Sequence, residues 1–266
     1  MSIIDFHTHA FPDAIARQAI HRLEEEGDIK AVLDGTVGAL LASMDRAGIE
    51  RSVVAGIAVS PKRVSPILEW ARSIASERLI PFPSVHPAAV DAPDQVRHIA
   101  EEGFKGIKFH PYYQEFTIDE PRMFPIYEAI AATGLLALVH TGYDLAFERV
   151  RRADPARILK VVDAFPGLKL ITSHLLAWED WDEARRLLVG KPIYTDLSMS
   201  IESMPRAQAR ELILGHPRDH VLFGTDSPWV DQAAQIDYVR SLELGDGWER
   251  SIFHGNAAAL LDGAGA

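Results

Sequence analysis

The chain has 266 residues, of which 47% are hydrophobic and 24% charged, a composition that excludes disordered, collagen-like and disulfide-rich proteins. Its formal charge of −11, from 27 basic and 38 acidic residues, disfavours nucleic acid and anionic membrane surfaces as partners. The chain contains no cysteine, so any strong metal site must be built from histidine and carboxylate ligands.

The sequence also bears on location. No run approaches the roughly 18 consecutive apolar residues that a membrane-spanning helix needs. The first residues, MSIIDFHTHAF, lack the basic flank and the apolar stretch of a signal peptide. We therefore expect a cytoplasmic protein with no membrane partner.

Short apolar runs alternate along the chain with longer segments in which apolar residues recur every three to four positions. The runs predict buried parallel strands, and the longer segments predict helices between them. We place eight strands at residues 3–9, 52–58, 79–86, 104–110, 135–140, 168–174, 192–196 and 221–226. The predicted helices are residues 13–26, 36–48, 63–77, 93–102, 121–133, 155–165, 179–189, 205–214, 231–244 and 248–261.

Eight strands that alternate with helices are typical of the (β/α)₈ or TIM barrel. No Pro/Gly/Ser-rich linker and no change of composition indicates a second domain. We therefore predict an α/β protein with a single barrel domain over residues 1–266. The long connection at residues 11–35 is expected to form an extra helix or a lid over the mouth of the barrel.

The histidines are concentrated where a barrel carries its chemistry, at the carboxyl ends of the strands. Six of the eleven histidines end predicted strands, where about one would fall by chance in windows covering roughly a tenth of the chain. The other five lie in helices or at the wrong end of a strand, and we expect them to be structural. The strand-end histidines are His7, His9, His86, His110, His140 and His174.

His7 and His9 lie two residues apart on the first strand, so their side chains point to the same face and can bind one ion together. A catalytic zinc typically takes three protein ligands and keeps one position for water, whose pKa it lowers to about 7. The spacing leaves the third ligand open between His140 and Asp226. Asp226 and His174 also suit proton transfer and the orientation of the water.

The residues around these positions resemble a known family. The segments are DFHTHAFP, GFKGIKFHPYYQ, LVHTG, ITSHL and FGTDSPW, in this order, with HGNAAALL near the end. Over essentially its whole length the chain resembles the amidohydrolase-related (type 2) branch of the amidohydrolase superfamily. The resemblance implies a barrel with a divalent metal, usually zinc and one ion per chain, and His174 as a free imidazole that orients or deprotonates the nucleophile. The implied metal ligands are His7, His9, His140 and Asp226.

Lys108 lies on the fourth predicted strand, on the same face as His110. A lysine at this position raises the question of whether the site holds one metal ion or two. In dihydroorotase-like relatives a lysine in a similar context is carboxylated and bridges two metals, so a carboxylated Lys108 would make the site binuclear. An uncarboxylated Lys108 would instead face an anionic substrate group or form a buried ion pair with Asp5. We expect His110 to contact the substrate or to support the metal ligands.

These features predict a metal-dependent hydrolase in which a metal-activated water attacks an amide, lactone or ester carbonyl of a small molecule. The alternative is a non-oxidative decarboxylase that uses the same site, because a subgroup of the resembled branch is similar to aminocarboxymuconate-semialdehyde and resorcylate decarboxylases. A barrel that only binds a metal or ligand, and a phosphoesterase or nuclease barrel, are less consistent with the convergent ligands and the acidic charge. The substrate is not specified by the sequence, and a homo-oligomer is left open.

Overall fold

In a computed structural model, which describes residues 2–265 and only the backbone at residues 201 and 202, eight parallel strands alternate with helices. All eight predicted strands are present. In chain order, β1 to β8 are Ile4–Thr8, Arg51–Ala55, Leu79–Phe82, Gly106–Phe109, Leu136–Val139, Lys169–Thr172, Tyr194–Asp196 and Val221–Leu222.

The helices follow the predicted order, with shorter bounds at most ends. In chain order, α1 to α12 are Asp13–Gly27, Val37–Ala47, Val64–Ile74, Ala92–Glu101, Phe124–Thr133, Pro155–Ala164, Trp181–Leu187, Ser200–Ser203, Arg206–Gly215, Gln232–Ser241, Asp246–Arg250 and Asn256–Asp262. The last predicted helix is divided, because a π-helical turn at Ser251–Gly255 separates α11 from α12. None of the described helices is long and apolar enough to cross a membrane.

The strands form two parallel sheets, in the orders β1-β2-β3 and β4-β5-β6-β7-β8. Backbone hydrogen bonds join these sheets at both seams. Lys108 N donates to Pro83 O at 2.8 Å between β3 and β4, and Phe6 N donates to Phe223 O at 2.8 Å between β8 and β1. The predicted (β/α)₈ architecture is confirmed.

Apolar side chains fill the barrel interior at the end opposite the mouth, which lies at the carboxyl ends of the strands. One buried cluster draws residues from β1, β2, β3, β5, β6 and β8, and α12 packs against it through Leu260 and Leu261. Two larger clusters lie between the outer faces of the strands and the helices. The polar side chains of the strand ends therefore lie on a closed hydrophobic base.

A β-bulge in β1 redirects the side chains that lead to the mouth. Asp5 pairs with Ser52 and Thr8 with Val54, so three steps along β1 match two along β2. Before the bulge Phe6 packs in the inner cluster, and Asp5 hydrogen-bonds to Gln232 on the helix side. Bulges of this kind often re-aim side chains next to active sites.

The predicted strands extend too far at their carboxyl ends. The eighth was predicted to reach residue 226 but ends at Leu222, and the sixth was predicted to reach residue 174 but ends at Thr172. The physical reason is that Asp226 and His174 adopt left-handed backbone angles, with φ of 62° and 59°, which no extended strand contains. Asp226 and His174 therefore lie in the loops that follow β8 and β6.

The predicted extra helix between the first two strands is present as α1. The segment that follows it hydrogen-bonds to the loop after β8, because Val32 N donates to Pro228 O at 2.8 Å. Thr36 caps α2 by accepting a hydrogen bond from Ala39 N, as its sequence position predicts. The connection is therefore tied to the same loop that carries Asp226.

Gly142, in the loop after β5, lies against another backbone segment. Its φ is 86°, and a Cβ atom there would overlap the backbone N and O of Trp178. We expect Gly142→Ala to lower the free energy of unfolding by about 3 kcal/mol or more, because backbone strain of about 1–3 kcal/mol is added to this clash. Gly38→Ala is the matched control, since a Cβ atom at Gly38 in α2 would meet nothing within 4 Å beyond its chain neighbours and the backbone of its own helix. It should be neutral or stabilising by up to about 1 kcal/mol. Urea unfolding of both variants tests the contrast, and equal stability would contradict it.

Candidate metal centre

The bulge in β1 and the loop after β8 bring His7, His9 and Asp226 together. One ligand atom of each residue lies within 4.8 Å of the other two. All three are largely buried, with side-chain exposures of 1%, 13% and 9%. Gly224 allows this approach, because a Cβ atom there would lie 3.0 Å from Asp196 Cβ and 3.1 Å from His7 Cβ.

Hydrogen bonds on the far side of each imidazole assign the tautomers of this pair. His9 Nδ1 lies 2.8 Å from Ala55 O, an acceptor, so Nδ1 carries the proton. His7 Nδ1 lies 2.9 Å from the Asp196 carboxylate and is protonated for the same reason. Each Nε2 is therefore left with a lone pair, the arrangement that metal-ligating histidines adopt.

Both lone pairs face the same carboxylate oxygen. Asp226 Oδ1 lies 3.0 Å from His9 Nε2 and 3.5 Å from His7 Nε2, and it has no hydrogen-bond partner among the described residues. Two ligand atoms on a tetrahedral ion with bonds of about 2.0–2.2 Å are roughly 3.3–3.6 Å apart. His9 Nε2 and Asp226 Oδ1 face each other with no donor between them, and His7 Nε2 accepts from the Lys108 ammonium at 2.8 Å, so the three residues fit a divalent metal that would replace this hydrogen bond.

The charges around this group also favour a cation, because negative charge is in excess. Burial opposes ionisation of Asp196, but the contact with His7, whose Nδ1 donates to this carboxylate, holds the pKa of Asp196 below its usual value. Burial lowers the pKa of the His7 imidazole, and Lys108 adds to this effect. Two carboxylates are thus opposed by one ammonium, which favours cation binding.

Lys108 lies inside this cluster and not in the ion pair that one alternative proposed for it. Its Nζ is 2.8 Å from His7 Nε2, and burial lowers its pKa to about 8. Asp5 instead contacts Thr225 and Gln232. The bulge explains the difference, because it places Asp5 on the opposite face of β1 from His7.

Asp196 and Ser198 support the centre, and sequence reasoning missed both. Asp196 ends β7, and its two oxygens accept hydrogen bonds from His7 Nδ1 and from the backbone N of Ser198. Ser198 Oγ donates to Asp196 Oδ1 in a close contact and also lies 2.9 Å from His174 Nδ1. The position of Asp196 at a strand end was a signal that could have identified it.

We expect Asp196→Asn to weaken metal binding about 10–100-fold, because the outer-shell carboxylate orients His7 and raises its basicity. The substitution keeps the shape of the side chain and removes the charge. Competition with a fluorescent chelator measures the affinity. Asp237→Asn, at a side chain that is 81% exposed, is the control, and an unchanged affinity in Asp196→Asn would show that this contact does not support the site.

The remaining predicted site residues lie beside this group and not within it. His140 Nδ1 is 3.0 Å from His174 Nε2, and His140 Nε2 is 2.8 Å from Tyr143 O. Both ring nitrogens of His174 are engaged, since its Nδ1 contacts Ser198. In the described structure His140 therefore lies outside the group of His7, His9 and Asp226.

His140 belongs instead to a second cluster, with His110 and with Asp144, which sequence reasoning did not single out. One ligand atom of each of these residues lies within 4.8 Å of the others. The His110 and His140 rings stack with centroids 4.2 Å apart. Burial is the main cause of a low pKa of about 3 for His110, whereas His110 holds the pKa of Asp144 below its usual value against the effect of burial.

Aromatic side chains surround the second cluster. The Tyr113 ring lies 4.7 Å from the His110 ring, and Phe147 lies 4.8 Å from Tyr113. Burial raises the pKa of Tyr113 above its usual range, so the phenol stays protonated. The mouth of the barrel therefore contains two groups of histidine and aspartate side chains, with Tyr113 and Phe147 beside the second group.

The amidohydrolase family model matches residues 4–263 of the chain. The chain belongs to this amidohydrolase family. The resemblance inferred from the strand-end motifs is thereby confirmed. No curated protein matches the chain.

Solved structures similar to this amidohydrolase include an uncharacterised TIM-barrel protein from Bordetella bronchiseptica, with a TM-score of 0.80, 22% identity and 100% of both chains covered. A 5-carboxyvanillate decarboxylase from Novosphingobium aromaticivorans, complexed with manganese, has a TM-score of 0.73 and 15% identity, with 98% of this chain and 96% of that chain covered. A candidate 2-pyrone-4,6-dicarboxylic acid hydrolase from Pseudomonas putida has a TM-score of 0.68 and 13% identity, with 98% and 97% covered. Because these identities are 13–22%, the similarity to the solved structures establishes the fold of this chain and not its reaction.

Proposed function

We propose that this amidohydrolase is a metal-dependent hydrolase that cleaves an amide, lactone or ester bond of a small molecule. The observation that carries the proposal is the convergence of three lone-pair-bearing atoms, on His7, His9 and Asp226, with an unpartnered carboxylate oxygen at the centre. Family membership supports the same class of chemistry. The candidate pyrone hydrolase among the similar structures supports the reaction type.

His7, His9 and Asp226 would hold the ion, which is three of the four ligands that the sequence predicts. Their two imidazole nitrogens and one carboxylate oxygen suit Zn²⁺, and the manganese in a similar structure keeps Mn²⁺ as the alternative. Bound there, the cation supplies Lewis acidity that polarises a carbonyl and lowers the pKa of a water molecule.

The residues of the chain would supply proton transfer and orientation. Asp226 accepts the proton of the attacking water through its carboxylate and passes it to the leaving nitrogen or oxygen as the bond to the carbonyl carbon breaks. His174 orients the ring of His140 through the 3.0 Å contact between them. The Lys108 ammonium attracts an anionic group of the substrate, and His110 lies beside it at the mouth.

The reaction type is tested by turnover in oxygen-18-labelled water with a panel of small lactones, esters and amides. A hydrolase transfers one solvent oxygen to the acid product, which mass spectrometry detects as a mass shift. The Asp226→Asn variant serves as the background control. Product without solvent oxygen in every active case would contradict hydrolysis.

Decarboxylation is the second candidate, because the similar structures include a decarboxylase complexed with manganese and an aromatic acid. In this reaction the C–C bond to the carboxylate breaks, CO₂ leaves, and Asp226 donates a proton to the ring carbon. Turnover of hydroxybenzoates in D₂O would then give one deuterium on carbon and no solvent oxygen. Absence of CO₂ release from a panel of such acids would eliminate this candidate.

A further inference from the structure

The loop after β8 presents Asp226 to the metal centre in a strained backbone conformation. The φ of Asp226 is 62°, in the left-handed region that side chains other than glycine adopt only at a cost. Such a conformation persists where the surrounding contacts hold it. The backbone of β1 supplies one contact, because Asp226 N donates to His7 O at 2.7 Å. The carboxylate of Asp5 supplies further contacts, through the neighbouring residue Thr225.

Four donors converge on the Asp5 carboxylate, which is fully buried. Its Oδ1 accepts hydrogen bonds from Thr225 N at 3.1 Å and from His7 N at 3.2 Å. Its Oδ2 accepts from Thr225 Oγ1 at 2.6 Å and from Gln232 Nε2, in the first turn of α10, at 2.8 Å. One carboxylate therefore joins the backbone of a metal ligand on β1, the residue before another metal ligand, and a helix outside the barrel.

The contact between Asp5 and Thr225 holds the residues on both sides of Asp226. The Thr225 hydroxyl donates its proton to Asp5 and accepts a hydrogen bond from Ser227 N at 3.1 Å. Gln232 is also fully buried, and its Oε1 has no partner among the described residues, so the contact with Asp5 sets the orientation of its amide. The loop that carries the metal ligand is thus fastened to β1 and α10 through a single carboxylate.

We propose that Asp5, acting through Thr225, is a positioning residue that holds Asp226 in metal-ligating geometry. The role rests on the metal centre of the proposed function and holds for either candidate reaction, because both use the same ion. Replacement of residues that hydrogen-bond a metal ligand directly changes metal affinity about 10–100-fold. Asp5 acts one residue further away, so we expect an effect at the lower end of this range.

The test compares the metal affinity of matched threonine variants by competition with a fluorescent chelator. Thr225→Val keeps the shape of the side chain and removes the hydroxyl, and it should weaken binding of Zn²⁺ and Mn²⁺ about 10-fold. Thr225→Ser keeps the hydroxyl and should restore wild-type affinity. Thr172→Val is the control, because Thr172 is equally buried and its Oγ1 donates to Tyr194 O at 2.9 Å. It should keep wild-type affinity.

Two further variants change the other partners in this contact, so the test does not depend on the folding of Thr225→Val. Asp5→Asn keeps the shape of the side chain and removes the charge, and Gln232→Met removes one donor to the carboxylate. Both should also weaken metal binding. The titrations are run at about pH 8, because burial raises the pKa of Asp5 to about 7. Circular dichroism and thermal unfolding of the metal-free proteins show that each variant is folded.

Asp226→Asn provides the reference for loss of a ligand. If it weakens binding while Thr225→Val and Asp5→Asn keep wild-type affinity, the positioning role is overturned and the metal centre stands. Binding by Thr225→Ser as weak as that by Thr225→Val would also overturn the role, because the hydroxyl would not be the cause. Equal losses in Thr225→Val and Thr172→Val would overturn it as well. Wild-type affinity in Asp226→Asn would contradict the metal centre itself, and the positioning role with it.

Discussion

Asp226→Asn is expected to reduce kcat/KM by about 10³-fold or more, because general acid–base catalysis alone contributes about 10²–10⁴-fold and the substitution also removes a metal ligand. The fold should be kept, and stability of the metal-free protein should not fall. The reason is that the amide can donate to His9 Nε2 at the position where Oδ1 now lies 3.0 Å away without a partner. Activity, metal content and thermal unfolding of the chelated protein together measure the effect.

Asp237→Asn provides the matched control for the loss of one carboxylate, because its side chain is 81% exposed. It should leave activity and metal content unchanged. Wild-type turnover in Asp226→Asn would exclude this residue from the chemistry. A large loss of stability in the metal-free variant would show that Asp226 is already satisfied without a cation.

Removal of metal is expected to abolish activity, and addition of Zn²⁺ or Mn²⁺ to the chelated protein should restore it. The same ions should stabilise the fold, since a ligand at about 100 times its Kd adds about 2.7 kcal/mol. For a domain of this size that corresponds to an increase in Tm of about 5–10 °C. Scanning calorimetry with and without the ion, beside activity assays, measures both effects.

The comparison with Asp226→Asn separates binding at the proposed centre from binding elsewhere. This variant should lose most of the metal-induced activity, and the stabilisation that remains is that of other ions on the chain. Mg²⁺ is a useful control ion, because it prefers oxygen ligands and should restore little at a site with two imidazoles. Full activity in the presence of excess chelator would contradict a metal-dependent reaction.

The sequence predicted the elements that periodicity controls. All eight strands and the order of the helices follow from apolar runs and from three- to four-residue spacing. The ends of α2 likewise depend on local chemistry, with Thr36 as its N-cap and Gly48, at a φ of 70°, as its C-cap. These features depend on neighbouring residues, so one sequence is enough to predict them.

The errors lie where tertiary contacts decide the backbone. The ion pair between Lys108 and Asp5 needs the Asp5 side chain to point into the barrel with His7, but the bulge between Asp5 and Thr8 places it on the other face. A bulge depends on the fit between β1 and β2, and no local motif announces it. The ion pair between Asp5 and Lys108 failed for this reason.

The candidate site was predicted in part. Strand-end positions identified His7, His9 and Asp226, which the structure brings together. His140, the fourth predicted ligand, lies beside this group, where contacts with His174 and Tyr143 hold its ring. The position of the ring depends on side-chain rotamers and on the contact with His174, 34 positions away, neither of which sequence spacing specifies.

The most direct test of the metal centre is anomalous diffraction from crystals of the protein grown with Zn²⁺ or Mn²⁺. We predict an anomalous peak bonded to His7 Nε2, His9 Nε2 and Asp226 Oδ1 at about 2.0–2.2 Å. A structure at saturating metal with no peak between these three atoms, or with His7 and His9 turned away from Asp226, would contradict it.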